Sequence, residues 1–169
     1  MTKLRGLITG VGSLPHQDAD AALDLIFKYF KQAPFWPQLP RRDVREGMVA
    51  QYSQGLPCLK VTADKLIFDS HDSERELEVF YDRLIAQDLD YFKITEDFAQ
   101  GLRGFYQRLG RENLSKIEFI KCHITGPFTF AASVNDRENV SLLHDPVFMQ
   151  AISKGLSMKA LWQLRKFSE

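Results

Sequence analysis

Apolar residues recur along this chain in two distinct periods. Ala19, Ala22, Leu23, Ile26, Phe27 and Phe30 follow one another at three- and four-residue spacing behind Asp18, which predicts a helix with an aspartate N-cap and one buried face. A second stripe, Leu77, Phe80, Tyr81, Leu84, Ile85, Leu89 and Phe92, follows Ser73-x-x-Glu76, the spacing of a capping box. Phe98, Leu102, Phe105 and Leu109 mark a shorter helix closed by Gly110. Asp145-Pro146 supplies an N-cap and a proline for the first helical position; Phe148, Ile152 and Leu156 then lie along one face of a helix running to about Phe167.

Between these stripes lie short apolar runs bounded by turn residues. Leu4 to His16 is a strand ending in the glycine turn Gly10-Val11-Gly12 before the first helix. Pro34-Phe35-Trp36-Pro37-Gln38-Leu39-Pro40 is extended, because its prolines forbid helix and limit it to a short or irregular strand. Asp43-Val44-Arg45-Glu46 has the capping-box pattern and predicts a helix through Met48, Val49 and Tyr52 to Gly55. Over residues 56–69, two β-prone runs flank a polar connection, predicting a hairpin excursion. Lys116 to Pro127 repeats the opening logic of a strand leading into a small-residue turn. Strands alternating with long helices predict an α/β fold with a parallel sheet or barrel, and ligands bound beyond the strands' C-terminal ends.

A chain of 169 residues fits a single domain, here 1–169, with room for a buried core. Its 22 basic and 22 acidic side chains leave no net field, so nucleic acid and anionic membrane are not expected partners, and a small neutral or zwitterionic ligand is. Cys58 and Cys122 form no C-x-x-C pair, and the N-terminus lacks the apolar core of a signal peptide. A cytoplasmic protein with reduced thiols is expected, and no apolar run approaches the roughly 20 residues of a membrane span.

The candidate chemistry gathers at the first turn. Gly12 permits close approach to main-chain N–H groups, Ser13 adds a hydroxyl, and His16 stands where an imidazole could donate to a substrate or act as acid or base. The pattern is not G-x-G-x-x-G, and an ordinary strand-to-helix turn explains the same glycines. His123 shares a strand face with Lys121 and Phe119, which makes it a cleft residue or a hydrogen-bonded wall histidine. Cys122 beside it points to the opposite face, so the pair does not chelate one ion and no metal ligand is assigned. His71 and His144 receive no chemistry, and the charges of Arg41-Arg42-Asp43 and of residues 72–78 read as solvated helix starts.

Three motifs in order, Thr9-Gly10-Val11-Gly12-Ser13-Leu14-Pro15-His16, Pro34 to Pro40 and Ile124-Thr125-Gly126-Pro127-Phe128-Thr129, resemble the superfamily of cobalamin-independent methionine synthase, zinc-dependent corrinoid methyltransferases and uroporphyrinogen decarboxylase. The resemblance implies a partial TIM (β/α)8 barrel, about the first three strand-helix units with the hairpin inserted. It implies methyl transfer to a thiol, with Gly12 and Ser13 holding the amino-acid end of a homocysteine-like substrate and Gly126-Pro127 walling the cleft. Gln38 falls where methionine synthases carry a substrate-binding glutamate, and an amide cannot match an ammonium as a carboxylate does. The implied substrate-binding set is Gly12, Ser13, His16, Gln38, His123 and Gly126. Zinc is implied for the full-length family, with ligands from the later half of the barrel and none in this chain. The decarboxylase branch fits less well, because no arginine cluster lies near the first turn. The isolated chain is expected to be inactive. The alternative is a non-catalytic partial barrel that self-associates or complements a partner subunit; unpaired sheet edges predict a homo-oligomer under either reading.

Overall fold

The computed structural model describes residues 6–168. Leu4 and Arg5, the expected start of the first strand, lie outside the described residues. In chain order the elements are α1 (Ala19–Tyr29), β1 (Leu59–Val61), β2 (Leu66–Phe68), α2 (Ser73–Ile85), α3 (Gln100–Leu109), α4 (Pro127–Ala132) and α5 (Pro146–Ser168), joined by extended segments and short 3-10 turns. The chain is mixed α/β and mostly helical, and the only sheet among the described residues is the β1–β2 pair. No helix among the described residues is long and apolar enough to cross a membrane.

Two compact units form. One takes the chain up to Gly47 together with Thr95–His123; the other takes Met48–Ile94 and the chain from Ile124 onward.

In the first unit α1 packs on α3. Asp18 caps α1 by accepting from the Asp20 and Ala21 amides, and the buried stripe is Ala22, Leu23 and Ile26, as the spacing predicts. Phe27 stacks on Phe105 with ring centroids 5.5 Å apart, and Leu102, Phe105 and Leu109 bury the facing side of α3. Each such large apolar side chain contributes about 1.5–3 kcal/mol when fully buried. Arg108 clamps the pair, meeting Asp24 at 3.0 Å and lying over the Phe27 ring.

The expected parallel strands of this unit are present as extended backbone joined by isolated bridges. Ser13 pairs with Gln38 and Phe35 with Lys121, both parallel, so the segments neighbour one another in the order of the chain. No continuous ladder forms between them among the described residues. The prolines at 34, 37 and 40 explain this, since each removes an N–H that a ladder would use. What remains is buried in bulk, with Ala33, Phe35, Trp36 and Leu39 at 0–2% exposure.

The second unit carries the hairpin where the sequence places it. β1 and β2 are antiparallel in the register Leu59↔Phe68, Lys60↔Ile67 and Val61↔Leu66. Phe68 meets Phe148 of α5 edge to face, and Phe80 of α2 meets Phe92 in the same way. Asp145 caps α5 through the Val147 and Phe148 amides, as expected of Asp-Pro. Helix α2 is shorter than its apolar stripe: it ends at Ile85, Gln87 takes φ +52°, and Leu89 to Phe92 return as a turn.

The helix expected from Asp43 to Gly55 does not form. Two 3-10 turns, Val44–Glu46 and Ala50–Tyr52, stand in its place, separated by an extended Gly47. Asp43 does cap the Arg45 amide at 2.9 Å, but Glu46 turns inward instead of reaching back to close the box. Its Oε1 accepts from Arg42 Nε at 2.5 Å and from the Gln100 amide, so a tertiary contact wins over the local one.

Candidate functional site

The parallel bridges of the first unit bring most of the expected site residues together. Gln38 N donates to Gly12 O and Leu14 N donates to Gln38 O, both at 2.9 Å, which locks the glycine turn beside the proline-bounded segment. Phe35 sits where a Cβ on Gly10 would stand, and Gly12 takes φ +142° with its α-carbon against the His123 ring. A Cβ on Gly12 would lie 2.7 Å from His123 Cε1. Glycine is therefore needed at 12 for two reasons, backbone conformation and close approach.

His123 is sandwiched. Its other face stacks on Trp36, with ring centroids 3.8 Å apart and planes inclined by 23°. Lys121, two residues earlier, reaches across and donates its ammonium to Val11 O. The third segment thus grips the glycine turn at two points, by charge at Val11 and by ring contact at Gly12. Ser13 remains exposed beside this arrangement, and Gln38 is 5% exposed.

The electrostatics of the cluster favour neutral groups. Burial, reinforced by the Lys121 charge, lowers the His123 imidazole to about 3, so it is uncharged at neutral pH. Burial also lowers Lys121. The Cys122 thiol is pushed up to about 11 by the same cause. A neutral imidazole held flat against an indole is a wall of fixed orientation.

His16 is half-buried, and its Nδ1 is buried with no hydrogen-bond partner among the described residues. Gly126 belongs to the second unit, where it is the N-cap of α4 ahead of Pro127. Its backbone is extended and nothing lies within 4 Å of a Cβ built on it, so a glycine is not required there by space or conformation.

The donors for a metal do not converge. Among the described residues no three of His, Cys, Asp and Glu gather into a set that could hold an ion. Burial raises the Cys122 and Cys58 thiols to about 11 and about 12, so both are protonated at neutral pH. The resemblance places the zinc ligands outside this chain, and no chemical step is assigned through zinc.

Three residues of the first unit carry more than the sequence suggests. Trp36 reads as an apolar strand residue and is the platform for His123. Lys121 reads as a neighbour of His123 and is the tie to the glycine turn. Glu46 reads as a capping residue and is a fully buried carboxylate, raised by burial and held by Arg42. The lone signal for the first two is their place in apolar runs next to glycine or proline turns; nothing local marks Glu46.

No family model, curated protein or solved structure matches the chain.

Proposed function

We propose that this chain is the substrate-orienting portion of a methionine synthase-like methyltransferase, in which a small thiol amino acid binds at the glycine turn. The observation that carries the reading is the convergence of Gly12, Ser13, Gln38 and His123 on three parallel segments that neighbour one another in chain order. That arrangement also supports a barrel-like origin, because sequential parallel neighbours at one edge are how a (β/α)8 barrel begins. The Ser13 hydroxyl, exposed beside the turn, would hydrogen-bond a substrate carboxylate. The neutral His123, stacked on Trp36, would wall the turn without adding charge, and the half-buried His16 stands at the exit of the same turn. With an amide at Gln38 in place of a carboxylate, the site has less to offer an ammonium than its acidic counterparts, and affinity for the amino group is modest.

Calorimetric titration with homocysteine, and with a thiol lacking the amino acid end, tests this. Ser13→Ala should weaken homocysteine binding by about tenfold, the loss of one hydrogen bond to a charged group, while leaving the melting temperature unchanged. Equal binding of both thiols, or an unchanged affinity in Ser13→Ala, would remove the assignment.

A second reading, a non-catalytic partial barrel that associates with itself, is favoured by one observation. Ile8 and Val11 on the first segment are 72% and 85% exposed.

A further inference from the structure

The third segment of the first unit carries a cation that the fold leaves without a counter-charge. Arg42, Arg45 and Arg108 of the same unit each meet a carboxylate, at 2.5, 2.7 and 3.0 Å. Lys121 meets none among the described residues: it is half-buried, and the partner of its ammonium is the Val11 carbonyl. A carbonyl dipole satisfies one of the three N–H groups and cancels none of the charge. Withdrawing an ammonium from water without an anion costs free energy, and burial lowers Lys121 accordingly. A lysine stem is long enough to turn such a head group to water, yet here it is held against the turn.

The ammonium stands where a ligand can reach it. Val11 lies between Gly10 and Gly12 and is exposed, Ser13 is exposed two residues on, and the His123 ring that walls Gly12 is kept neutral. Beyond the turn, the amides that open α1 are already taken by the Asp18 carboxylate, so the helix end offers no free pole to an anion. Lys121 supplies the positive charge at the turn itself. The neighbouring segment 34–40 contains no acidic side chain, so nothing on it matches an ammonium as a carboxylate would.

We infer that Lys121 is the charge partner of the ligand's carboxylate, and that the turn selects small carboxylic acids with or without an α-amino group. Two N–H groups of the ammonium remain for carboxylate oxygens, and Ser13 adds a hydroxyl. The ligand brings the anion that the fold withholds, and the desolvation of the cation is already partly met in the free protein. The thiol portion of the ligand rests on the methyltransferase reading; the carboxylate portion rests on Lys121.

Calorimetric titrations of the full chain separate the two. The probes are homocysteine, 4-mercaptobutyrate, which lacks its amino group, 3-aminopropane-1-thiol, which lacks its carboxylate, and butyrate, which lacks both thiol and amine. The expected result is 4-mercaptobutyrate within about threefold of homocysteine and the aminothiol about tenfold or more weaker. Lys121→Gln keeps a donor for Val11 O while removing the charge, and should weaken both thiol acids about tenfold or more; Lys121→Arg should recover affinity that Lys121→Gln loses. Equal affinity for the aminothiol and 4-mercaptobutyrate, no saturation with any of the carboxylates, or homocysteine binding unchanged in Lys121→Gln would each overturn the inference. Butyrate bound as tightly as 4-mercaptobutyrate, and dependent on Lys121, would instead remove the thiol reading and leave the carboxylate assignment standing.

Discussion

His123 shows how one side chain can couple a candidate site to stability. Its imidazole is held near 3 in the folded chain, against about 6.5 when unfolded. As pH falls below about 6.5 the unfolded chain takes up a proton that the folded chain refuses, so stability declines from there down to about 3. The expected loss attributable to this residue is about 2–4 kcal/mol, discounted for the partial exposure of the ring. Thermal melts between pH 7 and 4 should show His123→Asn losing less stability on acidification than the parent, although it starts lower for want of the Trp36 stack. Parallel slopes in parent and variant would show that the ring is not kept neutral by its surroundings. At this scale the sequence is readable where geometry is local. Gly12, Ser13 and Gln38 announce themselves by residue type next to a turn, and a parallel bridge joins Ser13 to Gln38. Trp36 and Lys121 act through partners 87 and 110 positions away, which no local pattern encodes.

Elements were legible in proportion to how far their own caps and stripes decide them. α1 and α5 each begin at an aspartate that caps its first amides, and the hairpin sits between clear polar breaks. The segment from Asp43 to Tyr52 had an equally good cap and failed, because Gly47 is extended and Glu46 is drawn to Arg42 and Gln100. α5 contains its own exception in Lys159, a lysine on a buried face that periodicity would assign to an apolar residue. Burial lowers this ammonium to about 7, so between about 7 and the unfolded value near 10.5 the unfolded chain binds more protons and stability rises with pH. Lys159→Met should abolish that rise and cost about 1–3 kcal/mol at pH 10, by leaving the Gln54 and Phe92 carbonyls without their donor. Chemical denaturation at pH 7 and 10 distinguishes the outcomes: a variant whose stability still climbs with pH would place the titration elsewhere.

For the molecule as a whole, the relevant quantity is the apolar backbone edge left on its first segment. Ile8 and Val11 are exposed there, and Val11 O is taken by the Lys121 ammonium. The segment has its parallel neighbour on the side of Gln38. Short, exposed and apolar segments of this kind pair with other chains unless charge prevents it, and a net charge of zero offers no long-range repulsion between copies. Self-association is therefore expected whether or not a thiol binds at the turn. Sedimentation velocity over a hundredfold concentration range should show a rising weight-average mass that changes little with salt, since the contact is apolar and not ionic. Ile8→Lys and Val11→Lys, each placing a charge on an exposed position, should shift the chain toward monomer without lowering its melting temperature. Monomer at every concentration in the parent would remove the reason to read this edge as an assembly surface. Association abolished by Val11→Lys, with thiol binding intact in the resulting monomer, would separate the two readings by showing that the turn works without a second copy.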